Sequence, residues 1–157
     1  MDQDALRVLA RLLRTRRVAA LGTLHDGKPF VSMVLTVASP DGSAFYFLAS
    51  GLAWHTRDIV KDPRVGLMLM EEESPERDPQ ALARLSITGE VTALDPGDIA
   101  YAEAGKLYLS AFPSAERYFQ LGDFVLYQIQ STGGRFVGGF ARAFTISPED
   151  LKQAARL

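Results

Sequence analysis

The chain has 157 residues and a formal net charge of −2, with 47% hydrophobic and 23% charged residues, the balance of one globular domain, expected to span residues 1–157. The slightly acidic total argues against nucleic acid as a partner, the lack of cysteine excludes disulfides, thiolate metal sites and thiol nucleophiles, and His25 and His55 alone are too few for a three-histidine zinc site. No apolar run is long enough for a membrane span and the N-terminus begins acidic, unlike a signal peptide, so the expected location is the cytoplasm.

The opening "DQDALRVLARLLRTRR" predicts an amphipathic helix. Leu6, Leu9 and Leu13 recur on one face, acids stand at the start, and Arg14, Arg16 and Arg17 complement the dipole at the end. The period then changes to two. "VAALGTL" (18–24) and "FVSMVLTVA" (30–38) are predicted strands joined by a hairpin at Asp26-Gly27. In the second, Val31, Met33, Leu35 and Val37 make an apolar face that alternates with Ser32, Val34 and Thr36. "AFYFLA" (44–49) is a third strand, after which Ser50 and Gly51 open a predicted helix that runs to about Lys61.

Strands follow at 65–71 and 83–94, separated by an acidic loop whose carboxylates are expected to be solvated rather than metal-binding. Asp95, with Pro96 behind it, is placed to cap a helix reaching about Leu109. "PSAERYFQL" is a second short helix, and Tyr101, Tyr108 and Tyr118 read as helix-packing residues. Two closing strands, 124–130 and 134–146, are joined by "STGG", and the last helix carries a capping box from Ser147 to Asp150. About seven strands, mostly hairpin-connected, close most readily as an antiparallel barrel, so the predicted class is mostly β with short peripheral helices.

"SGLAWHTRDI" (50–59) is the stretch that points to a ligand. The start of a helix offers unsatisfied amides and a positive dipole end, which together seat an anion. Ser50 and Thr56 supply hydroxyls, His55 an imidazole and Arg57 a guanidinium, while Ser32 and Thr36 share a face of the second strand. Trp54, Phe45, Tyr46 and Phe47 add flat apolar surface, a layout suited to a planar phosphorylated cofactor. Each residue also has a structural reading: Trp54 as a core anchor, Ser50 as a cap, Arg57–Asp58 as a solvated pair. In "RFVGGFARAF" (135–144), Gly138 and Gly139 mark a bulge or a close approach, and Phe136, Phe140 and Phe144 recur every fourth residue. No nucleophile elbow, phosphate loop or dinucleotide fingerprint is present.

Residues 17–69 resemble the pyridoxamine 5'-phosphate oxidase-like, FMN-binding split-barrel superfamily. The likeness lies in the order strand, hairpin, strand, strand, then a helix with a polar start left through "DPRV". "HTRD" and "RFVGGFARAFTI" are further similar to its haem-utilisation branch. The resemblance implies a split barrel and a homodimer with an FMN site at the subunit interface. Carried over by position, Ser32, Met33, Val34, Ser50, His55, Thr56 and Arg57 would hold phosphate and ribityl chain, with Gly139 and Arg142 near the ring or the partner subunit. The implied function is an FMN-dependent oxidoreductase acting on a small-molecule substrate. Two departures stand out: no basic residue on the second strand, and no arginine- and histidine-rich ending, so pyridoxamine phosphate is not the expected substrate. The alternatives are a haem-binding protein on the same barrel, which would need a ligand other than a histidine after His55, and a non-enzymatic ligand-binding or interaction module.

Overall fold

In the computed structural model, which describes residues 1–139 and 141–157, six antiparallel strands close into a barrel and a seventh extends its edge. The strands are β1 (Val18–His25), β2 (Lys28–Ala38), β3 (Ala44–Ser50), β4 (Arg64–Met70), β5 (Arg84–Ala93), β6 (Phe124–Val137) and β7 (Ala143–Ile146). Their order is β3-β2-β1-β4-β5-β6-β7, and pairing of β3 with β6 closes the ring. Closure pairs every barrel strand on both sides over part of its length, which reduces open edges and is the physical reason for the expected architecture. The helices are α1 (Gln3–Thr15), α2 (Trp54–Lys61), α3 (Ile99–Ala111), α4 (Glu116–Phe119) and α5 (Pro148–Ala155). Among the described residues, no helix is long and apolar enough to cross a membrane.

Local signals account for much of this. Asp26 and Gly27 take positive φ (49° and 77°), the left-handed pair of a two-residue hairpin turn between β1 and β2. Asp2 caps α1 by accepting from the Ala5 amide at 2.9 Å, and Leu6, Leu9 and Leu13 bury the predicted face. Both reciprocal bonds of the Ser147–Asp150 capping box are present in α5. Tyr108 is buried in a second apolar cluster with Val37 and Leu126, with Tyr101 and Tyr118 packed against it.

Four expectations need correcting. Phe45 and Phe47 are 0% exposed in the core, so they offer no surface to a ligand. Asp95 accepts from the Gly97 amide in a turn, and the helix after it starts later, with Asp98 at the N-cap. "STGG" is not a hairpin loop: β6 runs through it with a register shift against β5, and Gly133 at φ 134° absorbs the irregularity. The strand instead ends before Gly138 and Gly139, and the Gly138 amide donates to Arg142 O at 2.9 Å. Phe140 lies outside the described residues.

The acidic loop also departs from expectation at Glu71. Its carboxylate is buried, accepts from the Ala83 amide at 2.9 Å, and pairs with Arg77 at 3.0 Å and with Arg11 of α1. Burial works against its charge, but these partners outweigh it and hold the carboxyl below the ordinary glutamate value. A depressed folded-state value means stability that is present above the unfolded value of about 4.3 and lost as pH falls through the lower, folded one. Glu71→Gln should therefore cost about 1.5–3 kcal/mol at neutral pH. Urea denaturation should also show that its stability falls less than that of the parent on acidification.

Candidate functional site

Helix α2 packs against β1 and β2, and its buried face is Thr56, Asp58 and Ile59. It begins at Trp54, later than expected, with Ala53 as an N-cap that offers no side-chain hydrogen bond. Its first amides are thus not satisfied by a side-chain cap, the condition for an anion seat. Ser50 is not the cap. Its hydroxyl donates to Asp123 at 2.7 Å and accepts from the Leu52 amide at 3.1 Å. Leu52 precedes the helix and is exposed, so it shares no face with His55.

Ser32 and His55 do meet: Ser32 Oγ is 3.0 Å from His55 Nδ1. Burial, partly opposed by the charge of Asp58, lowers the pKa of His55 below the ordinary histidine value, so this ring is neutral near pH 7. Thr56 is buried, and its Oγ1 has no hydrogen-bond partner among the described residues. Thr36 shares Ser32's face but is occupied in the fold, donating to Tyr46 O at 2.9 Å. Arg57 is exposed and makes no ion pair among the described residues.

Asp58 is the residue that sequence reasoning misread. It is 1% exposed rather than solvated beside Arg57. Thr23 Oγ1 donates to its Oδ2 at 2.8 Å, and His25 Nδ1 stands 2.8 Å from its Oδ1. Desolvation raises its pKa, but the bonds from His25 and Thr23 reverse the sign and keep the carboxylate ionised. The His25 ring stacks on Trp54, centroids 4.4 Å apart and 2° from parallel, and Phe30 tilts against both. Trp54 is 53% exposed, so it is a surface shelf and not a core anchor. The signal was present: Thr23 and His25 alternate onto one face of β1, and Trp54 and Asp58 stand four apart on α2.

The apolar face of β2 is turned outward. Val31 is 66% and Met33 64% exposed, whereas Ser32 and Val34 look inward. Register extends this face across three strands: Met33 pairs with Ala20 and Ala20 with Met68, while Val31 pairs with Gly22 and Gly22 with Gly66. One hollow of about 410 Å³ lies among Val18, Val31, Met33, Met68 and Met70. A groove of about 600 Å³ runs beside it over Gly22 and Gly66, walled by Phe30, Val31 and Arg64. Phe30 joins that groove to the His25–Trp54 corner.

Gly139 and Arg142 are not brought to α2 within one chain. Arg142 donates to Asp2 at 2.6 and 2.7 Å, and its groove is lined by Pro79, Gln80, Arg84 and Val137, with no residue of β2 or α2.

The sequence pattern of the family described as "CREG, beta-barrel" matches residues 3–153. The chain is 28% identical over 141 residues to heme oxygenase HutZ of Vibrio cholerae, covering 87% of this chain and 77% of that protein. It is 32% identical over 129 residues to the chloroplastic heme oxygenase HOZ of Arabidopsis thaliana, covering 82% of this chain but 38% of the relative. Among solved structures, a heme binding protein from Mycobacterium smegmatis superposes with a TM-score of 0.85 at 27% identity, over 98% of this chain and 62% of that one.

Proposed function

Because this chain belongs to the CREG β-barrel family, on the pyridoxamine 5'-phosphate oxidase-like split-barrel fold, we propose that it binds haem at the interface of a homodimer. Haem would then be the small-molecule substrate of an oxygenase-type reaction. The observation that carries this reading is the exposed apolar face of β2, β1 and β4, continuous through Phe30 with a histidine corner. A porphyrin is a flat apolar plate with carboxylates at its rim, so it calls for an apolar wall, an imidazole and a cation. Val31, Met33 and Met68 supply the wall; His25 and His55 lie round the hairpin from it, on the side of Thr23 and Ser32, and Arg57 is an exposed cation on α2. An apolar face of this extent on a globular chain is typical of a subunit or ligand surface. Haem, when bound, supplies a redox-active iron; the chain orients it, shields it from water and sets its polar contacts.

The names of the Vibrio and Arabidopsis relatives support haem over flavin. The donor set supports it too. The cation of β2, Lys28, stands at its exposed hairpin end, Ser32 is engaged with His55, and Ser50, four residues before α2, donates to the Asp123 carboxylate, whose charge opposes a phosphate there. Titration with hemin should give a Soret band that survives gel filtration. Hemin that elutes apart from the protein contradicts the reading.

FMN is the second reading, favoured by the uncapped start of α2 beside Arg57. On that reading His55→Ala with Thr56→Ala weakens FMN binding about tenfold, roughly 1.4 kcal/mol. Equilibrium dialysis showing equal FMN affinity in the folded double variant would remove it.

A further inference from the structure

The arginines at the end of α1 are not equivalent. Arg16 pairs with Glu72 at 2.8 Å. Arg14 and Arg17 pair with no carboxylate among the described residues. Each guanidinium carries five N–H donors, and within the described residues the one engaged is on Arg17 Nη1, which donates to Arg16 O at 3.3 Å. Both arginines line one hollow of about 340 Å³. The rest of its wall is largely apolar, with Leu13, Val37, Leu107, Ala111 and Ala155. It shares no lining residue with the outward face of β2, β1 and β4, so it is separate from the surface assigned above to haem.

The ordinary role of such cations is to answer helix C-termini, and three helices end here, with Leu13 of α1, Ala111 of α3 and Ala155 of α5 on the wall. Each end carries roughly half a negative unit charge, whose effect fades within the last turn. At each end a backbone amide already takes a carbonyl: Arg16 N–H on Leu12 O at 3.0 Å, Phe112 N–H on Tyr108 O at 2.8 Å and Leu157 N–H on Ala154 O at 3.2 Å. The Asp41 carboxylate, close by in the β2–β3 turn, is occupied by the Ser39 and Ser43 hydroxyls. Two full guanidinium charges therefore exceed the partial charges of the helix ends and leave a modest positive surplus, the match for one negative charge. The guanidinium fork suits a carboxylate, and the apolar wall suits hydrocarbon. The hollow has the volume of roughly ten waters, room for an acid of about ten heavy atoms. We propose that it binds a small monocarboxylate with a hydrocarbon body, the carboxylate held by Arg14 and Arg17 and the body lying against Leu107 and Ala111.

Octanoate is the probe, and octylammonium, the same chain with the opposite charge, is its control. Isothermal titration calorimetry of the full chain should give octanoate a Kd of about 1 mM or below and octylammonium no measurable heat. Arg14→Gln with Arg17→Gln should weaken octanoate at least about tenfold, the size of one lost charge-assisted pair, with unchanged circular dichroism. Since the variant is informative only if it folds, a second measurement uses the parent protein: the ¹⁵N signals of the Arg14 and Arg17 Nε–H groups should shift as octanoate is added. The proposal is overturned if octanoate does not bind or if octylammonium binds as well, which would make the contact apolar alone. It is equally overturned if the folded double variant keeps the parent affinity, or if the two arginine signals stay in place while octanoate binds elsewhere. None of these outcomes bears on hemin uptake.

Discussion

Placing aspartate at both Val31 and Met33 is expected to convert a dimer into a monomer that remains folded. The two side chains are 66% and 64% exposed in the single chain, so neither belongs to the barrel core and substitution costs the fold within about 0.5 kcal/mol. In a two-fold assembly each residue occurs twice on the same self-complementary patch, so the pair of substitutions introduces four carboxylates. Burying an uncompensated charge costs about 3–5 kcal/mol, and even one such penalty weakens association by more than about a hundredfold. Sedimentation equilibrium should show the parent as a dimer and the variant as a monomer with unchanged circular dichroism. A parent protein that sediments as a monomer would remove the interface from the account. If haem sits at that interface, hemin uptake should fall in parallel.

Gly134→Ala should be the most damaging small substitution in the barrel. Gly134 lies opposite Ile87, beside the irregularity between β5 and β6. A methyl group there would stand 2.1 Å from Ser86 O and 2.8 Å from Ile87 Cα. Both obstacles are backbone, so no side chain can swing aside; the strands must part. Overpacking of this kind costs about 3 kcal/mol, several degrees in Tm for a domain of this size. Gly22→Ala is the control, because its added carbon would meet Gly66 O at an ordinary 3.6 Å. Calorimetry should find Gly22→Ala close to the parent and Gly134→Ala far below it; equal Tm values would contradict the close-packing argument.

The barrel was legible because period-two patterning and turn chemistry are local. Asp26-Gly27, the Ser147 capping box and the leucines of α1 each act within a few residues. What failed depends on contacts distant in sequence. Which face of β2 turns outward was not legible at all: it is the apolar one, and alternation cannot say which face is inside when both carry valines. "STGG" resembles a hairpin loop, yet pairing with β5 carries β6 straight through it. Ser32 and His55 were expected together and are together. The Thr23–His25–Asp58 cluster was missed because Asp58 follows Arg57 and looked like half of a surface pair, whereas the turn of α2 buries one and exposes the other.

The central claim is that this barrel takes haem rather than flavin. It is tested most directly by offering the purified protein hemin and FMN together at equal concentration and recording the absorbance spectrum after gel filtration. The account predicts that the protein fraction carries a Soret band and no flavin bands. Flavin bands in that fraction, with the hemin eluting separately, would contradict it and return the α2 start to the role of a phosphate grip.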